Sequence, residues 1–192
     1  MRDAILEKAE QQLMLGGYDK LNFANIAKEL NTTRANLHYH FKNKETLAIE
    51  VVRRYSAGYT VEFERLRKSF NGNISGFFQA VEDMMWMLSD DDGNDDSKPA
   101  TCINLVADPE IPEAIAKASR EAYNQIESTL KGVIQDAIDN QEIRLDLDAQ
   151  REANRCHVLM MGISGCGQHL LSVGEAKQKF GGIIMDWVNS LK

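Results

Sequence analysis

Apolar residues recur at helical spacing along nearly the whole chain, and the stretches are separated by short Gly- and Asn-containing breaks. Ile5, Ala9 and Leu13 mark a first helix from about Asp3 to Leu15, stopped by Gly16-Gly17, which can adopt the left-handed backbone that ends a helix. Ile26, Ala27 and Leu30 form the inward face of a second helix capped by Asn22. Asn31 occupies a turn position that needs left-handed backbone, and Asn tolerates it better than most residues with a Cβ. Thr33 caps a third helix ending near Phe41, and Asn43 caps a fourth, with Glu45 in its first turn favourable to the helix dipole. Leu47, Val51, Val52, Tyr55 and Leu66 carry that fourth helix to about Phe70.

After Asn71-Gly72-Asn73 the periodicity predicts a helix over about Ile74–Leu88, then a polar break at Ser89–Ser97. That acidic break lacks the register of a calcium loop, because Leu88 stands where Gly93 would need an acidic residue five positions earlier. Further helices are expected at about Thr101–Val106, Pro112–Asn140, Asp148–Val173 and Glu175–Leu191. There is no strand-like alternation, no hairpin dipeptide between alternating segments and no internal repeat, so the chain reads as all-α with nine helices. The three prolines all lie beyond residue 98, which leaves the first half free for long helices. No apolar run approaches the ~18–20 residues needed to cross a bilayer, and Met1-Arg2-Asp3 leads straight into an amphipathic pattern. No membrane association and a cytoplasmic location are the expectation.

The net charge of −7 argues at first against nucleic acid, but its distribution changes the picture. Residues 1–68 hold 12 Lys/Arg against 9 Asp/Glu, and residues 69–192 hold 10 against 20. A slightly basic head on an acidic body suits a protein whose head alone meets phosphate. Cys102, Cys156 and Cys166 are widely spaced and contain no CxxC pair, so neither a zinc module nor a disulfide framework is expected.

Residues 22–47 bring candidate chemistry. Two short amphipathic segments joined by a tight turn at Asn31-Thr32 have the spacing of a helix-turn-helix, which carries its second helix into the major groove of DNA. On a helical wheel Leu37 and Phe41 define the buried face of that helix, with His40 beside it. Ala35, Asn36, His38 and Tyr39 point the other way, and Thr33 and Arg34 project from the N-terminal end. Arg pairs bidentately with guanine and Asn with adenine, while Tyr and His reach phosphates or thymine methyls. Lys44, at the start of the next helix, and Lys28 and Lys42 are candidate phosphate contacts. His38 and Tyr39 could equally be solvated residues of a surface helix. His38 and His40 lie about 200° apart on the helix and cannot share a metal ion, so no metal is expected.

The same stretch resembles the DNA-binding domain of the TetR family of bacterial repressors. Ile26-Ala27, Leu37, Tyr39-His40-Phe41, Lys44-Glu45 and Leu47 match that family's "IA..aGVs.gtlYyHF.sKe.L" pattern in register, and the spacing from Gly17-Tyr18 agrees. Asn31, Asn22 and His38 depart from its usual Gly, Thr or Ser, and Tyr. The resemblance implies a homodimeric, nine-helix, ligand-responsive transcriptional regulator. It implies a helix-turn-helix domain over residues 1–47 and a ligand-binding and dimerisation domain over 48–192, connected by the fourth helix at about 44–70. Partners are then double-stranded operator DNA, a second copy of the chain and a small-molecule effector; no cofactor and no catalytic residue is expected.

Within the body, Phe180, Ile183, Ile184, Trp187, Val188 and Leu191 form a near-unbroken apolar stripe. Cys156, Met160 and Gly165, among other small or flexible residues of the preceding helix, let another helix come close. Packing on their own domain is the alternative to a four-helix dimer interface. Met84, Met87, Tyr123, Ile126 and Leu130 are candidate walls of an effector pocket, or plain core. The segment around Cys102 resembles one found after the loop in a subgroup of these regulators, some of whose members sense electrophiles or oxidants through cysteine. An enzyme using the body cavity and a protein-binding adaptor are competing readings. The chain offers no Ser/His/Asp order, glycine-rich phosphate loop or metal-spaced cluster for the former, and the adaptor predicts no retention on DNA.

Overall fold

A computed structural model describes residues 1–87, 111–167 and 172–192. Among them are nine helices and no strand: α1 (Arg2–Lys20), α2 (Phe23–Glu29), α3 (Arg34–His40), α4 (Lys44–Ser69), α5 (Ile74–Met87), α6 (Glu113–Asp139), α7 (Ala149–Gly167), α8 (Val173–Phe180) and α9 (Ile183–Ser190). The polar break at Ser89–Ser97, the helix expected at Thr101–Val106 and Cys102 lie outside the described residues. No helix among the described residues is long and apolar enough to cross a membrane.

Local chemistry explains most boundaries. Gly17 takes φ +67° and interrupts α1 where the sequence expects a stop, although helix resumes to Lys20. Asn22 Oδ1 accepts from the amides of Ala24 and Asn25, Thr33 Oγ1 from Asn36, and Asn43 Oδ1 from Thr46. Asn73 Oδ1 accepts from Gly76 N at 2.9 Å, and Asp148 Oδ1 from Arg151 N at 2.9 Å, opening α5 and α7 in the same way.

Two expected boundaries change. The single helix predicted over Glu175–Leu191 is two, α8 and α9, broken at Gly181-Gly182. Gly182 sits at φ +86°, and a Cβ on Gly181 would lie 2.4 Å from the Lys177 carbonyl, so both positions suit only glycine. The helix expected to reach Val173 is described only to Gly167 as α7, and Val173 opens α8, capped by Ser172 Oγ on Glu175 N.

The chain divides into two compact units, Met1–Gly58 with Ile103–Asn124, and Tyr59–Cys102 with Gln125–Lys192. The core of the first comprises Ile5, Leu13, Leu21, Ile26, Leu37, Phe41, Leu47, Val51 and neighbours, together with Ile115 and Ala118 from the start of α6. The helix-turn-helix segment is therefore local in sequence, but its unit draws on α6 as well as residues 1–47. In the second unit a chain of edge-to-face aromatics runs from Tyr59 through Phe63, Phe77 and Phe78 to Trp187. Leu130, Ile134, Ala153, Cys156, Met160, Ile184 and Val188 fill the space around them. Arg67 bonds both oxygens of Asp136 at 2.5 and 2.8 Å, tying the end of α4 to α6 within this unit.

Candidate nucleic-acid interface

The α2–α3 junction is a Schellman helix end. Thr32 N donates to Ala27 O at 2.8 Å and Asn31 N to Lys28 O at 3.2 Å, with Asn31 at φ +49°. That geometry turns the chain in two residues and delivers Thr33 as the cap of α3. Leu37 is fully buried and Phe41, the residue after the helix, nearly so. They pin one face of α3 to the core and leave the other outside.

Arg34, Ala35, His38 and Tyr39 are exposed on that outer side, Tyr39 at 83%. Thr33 is also exposed while its hydroxyl oxygen accepts the cap bond. His40 is half-buried and packs edge-on to Tyr39. Asn36 departs from expectation. It is half-buried and its Nδ2 donates to Thr32 Oγ1 at 3.0 Å, so one amide hydrogen is used inside the motif rather than offered on the outer face. The reason is the i,i+4 spacing, which sets Asn36 directly above Thr32.

Lys28 and Lys42 are exposed. Lys44 opens α4, and its ammonium lies 4.1 Å from the centre of the Tyr18 ring. This cation–π contact holds the charge near the free amides of the helix start. The Tyr18 hydroxyl is held above its ordinary pKa, chiefly by burial and secondarily by Glu45 and Asp19. Tyr18 as a positioner of Lys44 is not visible in the sequence, since the two residues meet only through folding of the head. The same holds for Phe23, whose ring lies 4.9 Å from that of His38.

The other predicted residues separate. Leu130 is fully buried core, Met84 and Ile126 pack partly against that core, and Tyr123 is half-buried in the first unit. Met87 ends α5, and Cys102 lies outside the described residues. Cys156, Met160 and Ile184 are buried in the second unit's own core, so they support α7 and α9 from beneath instead of facing outward. Burial pushes the Cys156 thiol up and the His157 imidazole down to about 4. Gly165, Phe180, Ile183 and Trp187 remain partly accessible. An open groove of about 700 Å³ runs between α7 and α9, lined by Arg151, Arg155, Val158, Leu159, Ile183 and Trp187 among others. Val158 is 62% exposed there. Trp187 Nε1 donates to the buried Glu152 carboxylate at 3.2 Å, and Arg155 bonds the other oxygen at 2.6 Å. No group of three His, Cys, Asp or Glu among the described residues is placed to hold a metal ion.

A capped helix-turn-helix presenting arginine, histidine and tyrosine on one outer face is the arrangement found in the class of helix-turn-helix DNA-binding proteins. Comparison with known proteins narrows it. Residues 5–51 match the family model described as bacterial regulatory proteins, tetR family. The biofilm operon icaADBC HTH-type negative transcriptional regulator IcaR of Staphylococcus epidermidis is 30% identical over 79 residues, 41% of this chain and 42% of that protein. The matched stretch thus spans about two fifths of that curated relative. A TetR-family transcriptional regulator from Agrobacterium tumefaciens has the same fold at TM-score 0.85 and 20% identity, covering 100% of this chain and 97% of that one. A TetR transcriptional regulator from Legionella pneumophila aligns at TM-score 0.80 and 20% identity with the same coverage. The chain is thus similar to the tetR family of bacterial regulatory proteins over residues 5–51 and shares the fold of TetR-family regulators along its length.

Proposed function

We propose that this chain represses transcription by binding a palindromic operator as a dimer and is released by an effector. The observation that carries the reading is the outer face of α3, where Arg34, Ala35, His38 and Tyr39 stand exposed while Leu37 and Phe41 anchor the opposite side. Thr33, Lys28 and Lys44 supply phosphate contacts that set register, and Arg34 supplies a base contact. Two copies of α3 enter successive major-groove turns about 34 Å apart, or a multiple of that distance.

The apolar groove with Val158, Leu159, Ile183 and Trp187 supports a dimer built on α7 and α9. Gly165 of α7 and Phe180 of α8 remain partly accessible for the same contact, and Cys156, Met160 and Ile184 lie in the core. The effector binds in the second unit near Met84, Met87, Ile126 and Leu130, and its effect reaches the DNA-binding heads through α4, which contributes residues to each unit. Cys102 is the candidate for a reactive effector.

The test is fluorescence anisotropy with a duplex from the protein's own upstream region. Binding should be salt-sensitive, and Arg34→Ala and Tyr39→Ala should each weaken it at least roughly tenfold. Wild-type protein with no salt-sensitive binding, or variants that change nothing, would refute the reading. Analytical ultracentrifugation of Val158→Glu checks the dimer: a charge buried in the groove should shift it to monomer. Peroxide or electrophile release from DNA, compared between wild type and Cys102→Ser, checks the sensor, and equal release rules out Cys102.

A further inference from the structure

His38 carries an assignment that the helix-turn-helix match does not contain. Its Nδ1 lies 3.1 Å from the carbonyl oxygen of Lys42, in the turn between α3 and α4. A carbonyl oxygen can only accept, so the hydrogen sits on Nδ1. In the neutral ring, Nε2 is then a bare acceptor. The ring is also packed at 4.9 Å and 52° against Phe23, the first residue of α2. Two contacts from different elements hold the imidazole while the residue remains exposed. The edge bearing Nε2 is the one left to meet a ligand.

Arg34, Ala35 and His38 share one face of α3 through i,i+3 and i,i+4 spacing. His38 lies one turn from Arg34, about 6 Å along the axis, within the roughly 12 Å width of a major groove. An acceptor there has few partners. Phosphate oxygens are acceptors too and repel a lone pair. Guanine and thymine edges present acceptors or a methyl group. Only adenine N6 and cytosine N4 offer hydrogens in the major groove.

We propose that His38 is a specificity-determining residue whose Nε2 accepts a hydrogen bond from an exocyclic amine, distinguishing adenine and cytosine from guanine and thymine at one operator position per half-site. The proposal rests on α3 being the recognition helix.

The experiment is selection of bound duplexes from a randomised pool at fixed salt, with wild type and His38→Ala. Wild type should select A or C on one strand at one position of each half-site. The variant should lose that preference and keep the others. A second arm uses wild-type protein alone, so it does not depend on the variant folding. Replacing the selected adenine by purine, or the selected cytosine by 2-pyrimidinone, removes the amine and should weaken binding roughly tenfold. The same replacement should leave His38→Ala unaffected. Unchanged preferences in the variant, or amine-free operators bound as tightly as the parent, would overturn the assignment. So would a sequence-independent loss of affinity with a salt slope lower by about one, which is the signature of a phosphate contact. If wild type binds no duplex in a salt-dependent way, the DNA-binding reading itself fails; binding with the wrong preference pattern overturns only the role of His38.

Discussion

Replacing Asn31 tests the turn that aims α3. Asn31 is held at φ +49°, and its own amide and that of Thr32 close the helix end through bonds to Lys28 O at 3.2 Å and Ala27 O at 2.8 Å. Placing a residue with a Cβ in this backbone region costs about 1–2 kcal/mol, with Asn near the lower end and a β-branched residue at the upper end. Asn31→Val should therefore destabilise by about 1 kcal/mol relative to wild type if the turn survives. If it opens instead, the strain is relieved but two hydrogen bonds worth about 1 kcal/mol each are lost, a cost of about 1–2 kcal/mol. Asn31→Gly removes the conformational cost but adds unfolded-state entropy of about 0.5–1 kcal/mol, so the two nearly cancel. In a chain of this size 1 kcal/mol corresponds to a Tm change of about 2–4 °C. Thermal and urea unfolding should place Asn31→Gly within about 2 °C of wild type and Asn31→Val about 2–4 °C lower or more, with weaker DNA binding to match. A neutral Asn31→Val would show that the left-handed turn is not adopted. A strongly destabilised Asn31→Gly would show that the Asn side chain, and not its backbone, holds the turn.

Three further outcomes follow from the second unit and α6. His157 stays neutral in the folded protein down to about pH 4 because burial disfavours its charged form. An unfolded histidine gains its proton near ~6.5, so stability should fall by up to about 3 kcal/mol as pH drops from there to the folded value and level off below it. Urea unfolding at stepped pH should show that slope, and His157→Leu should flatten it. Phe78→Ala empties a fully buried site between Phe77 and Trp187 and should cost about 3–5 kcal/mol, with a change in Trp187 emission as the edge-to-face contact is lost. Gln141, which occupies the equivalent left-handed position at the end of α6 at φ +59°, should stabilise the protein by up to about 1 kcal/mol when replaced by Gly, read as a raised urea midpoint.

The features legible in the amino-acid sequence are local ones. Asn22, Thr33 and Asn43 cap helices because short polar side chains reach amides two or three residues ahead, and that reach depends on spacing along the chain alone. The buried faces of α2 and α3 follow from the 3.6-residue period for the same reason. The left-handed turn at Asn31 and the break at Gly16-Gly17 are backbone preferences of single residues. These features suffice to place Arg34, His38 and Tyr39 on an outer face. Gly181-Gly182 is equally visible, yet the apolar stripe from Phe180 to Leu191 continues across it and reads as one helix. Only the packing shows the interruption, because Gly182 N donates to the Glu82 carboxylate, a hundred residues away.

The remaining points depend on residues far apart in the chain, so only folding in three dimensions fixes them. Periodicity shows that a side chain is apolar on a given face, not what covers that face. Ile184 and Trp187 belong to one stripe, but the first is buried in its own unit and the second opens onto a groove. Lys44 meets Tyr18 across 26 positions, and Ile115 joins the core of a head that begins more than a hundred residues earlier. His38 is the sharpest case. Its place in the helical period puts it on the outer side of α3, away from Leu37 and Phe41. The Lys42 carbonyl, brought to it by the fold, determines which nitrogen carries the hydrogen, and the Phe23 ring packs against it.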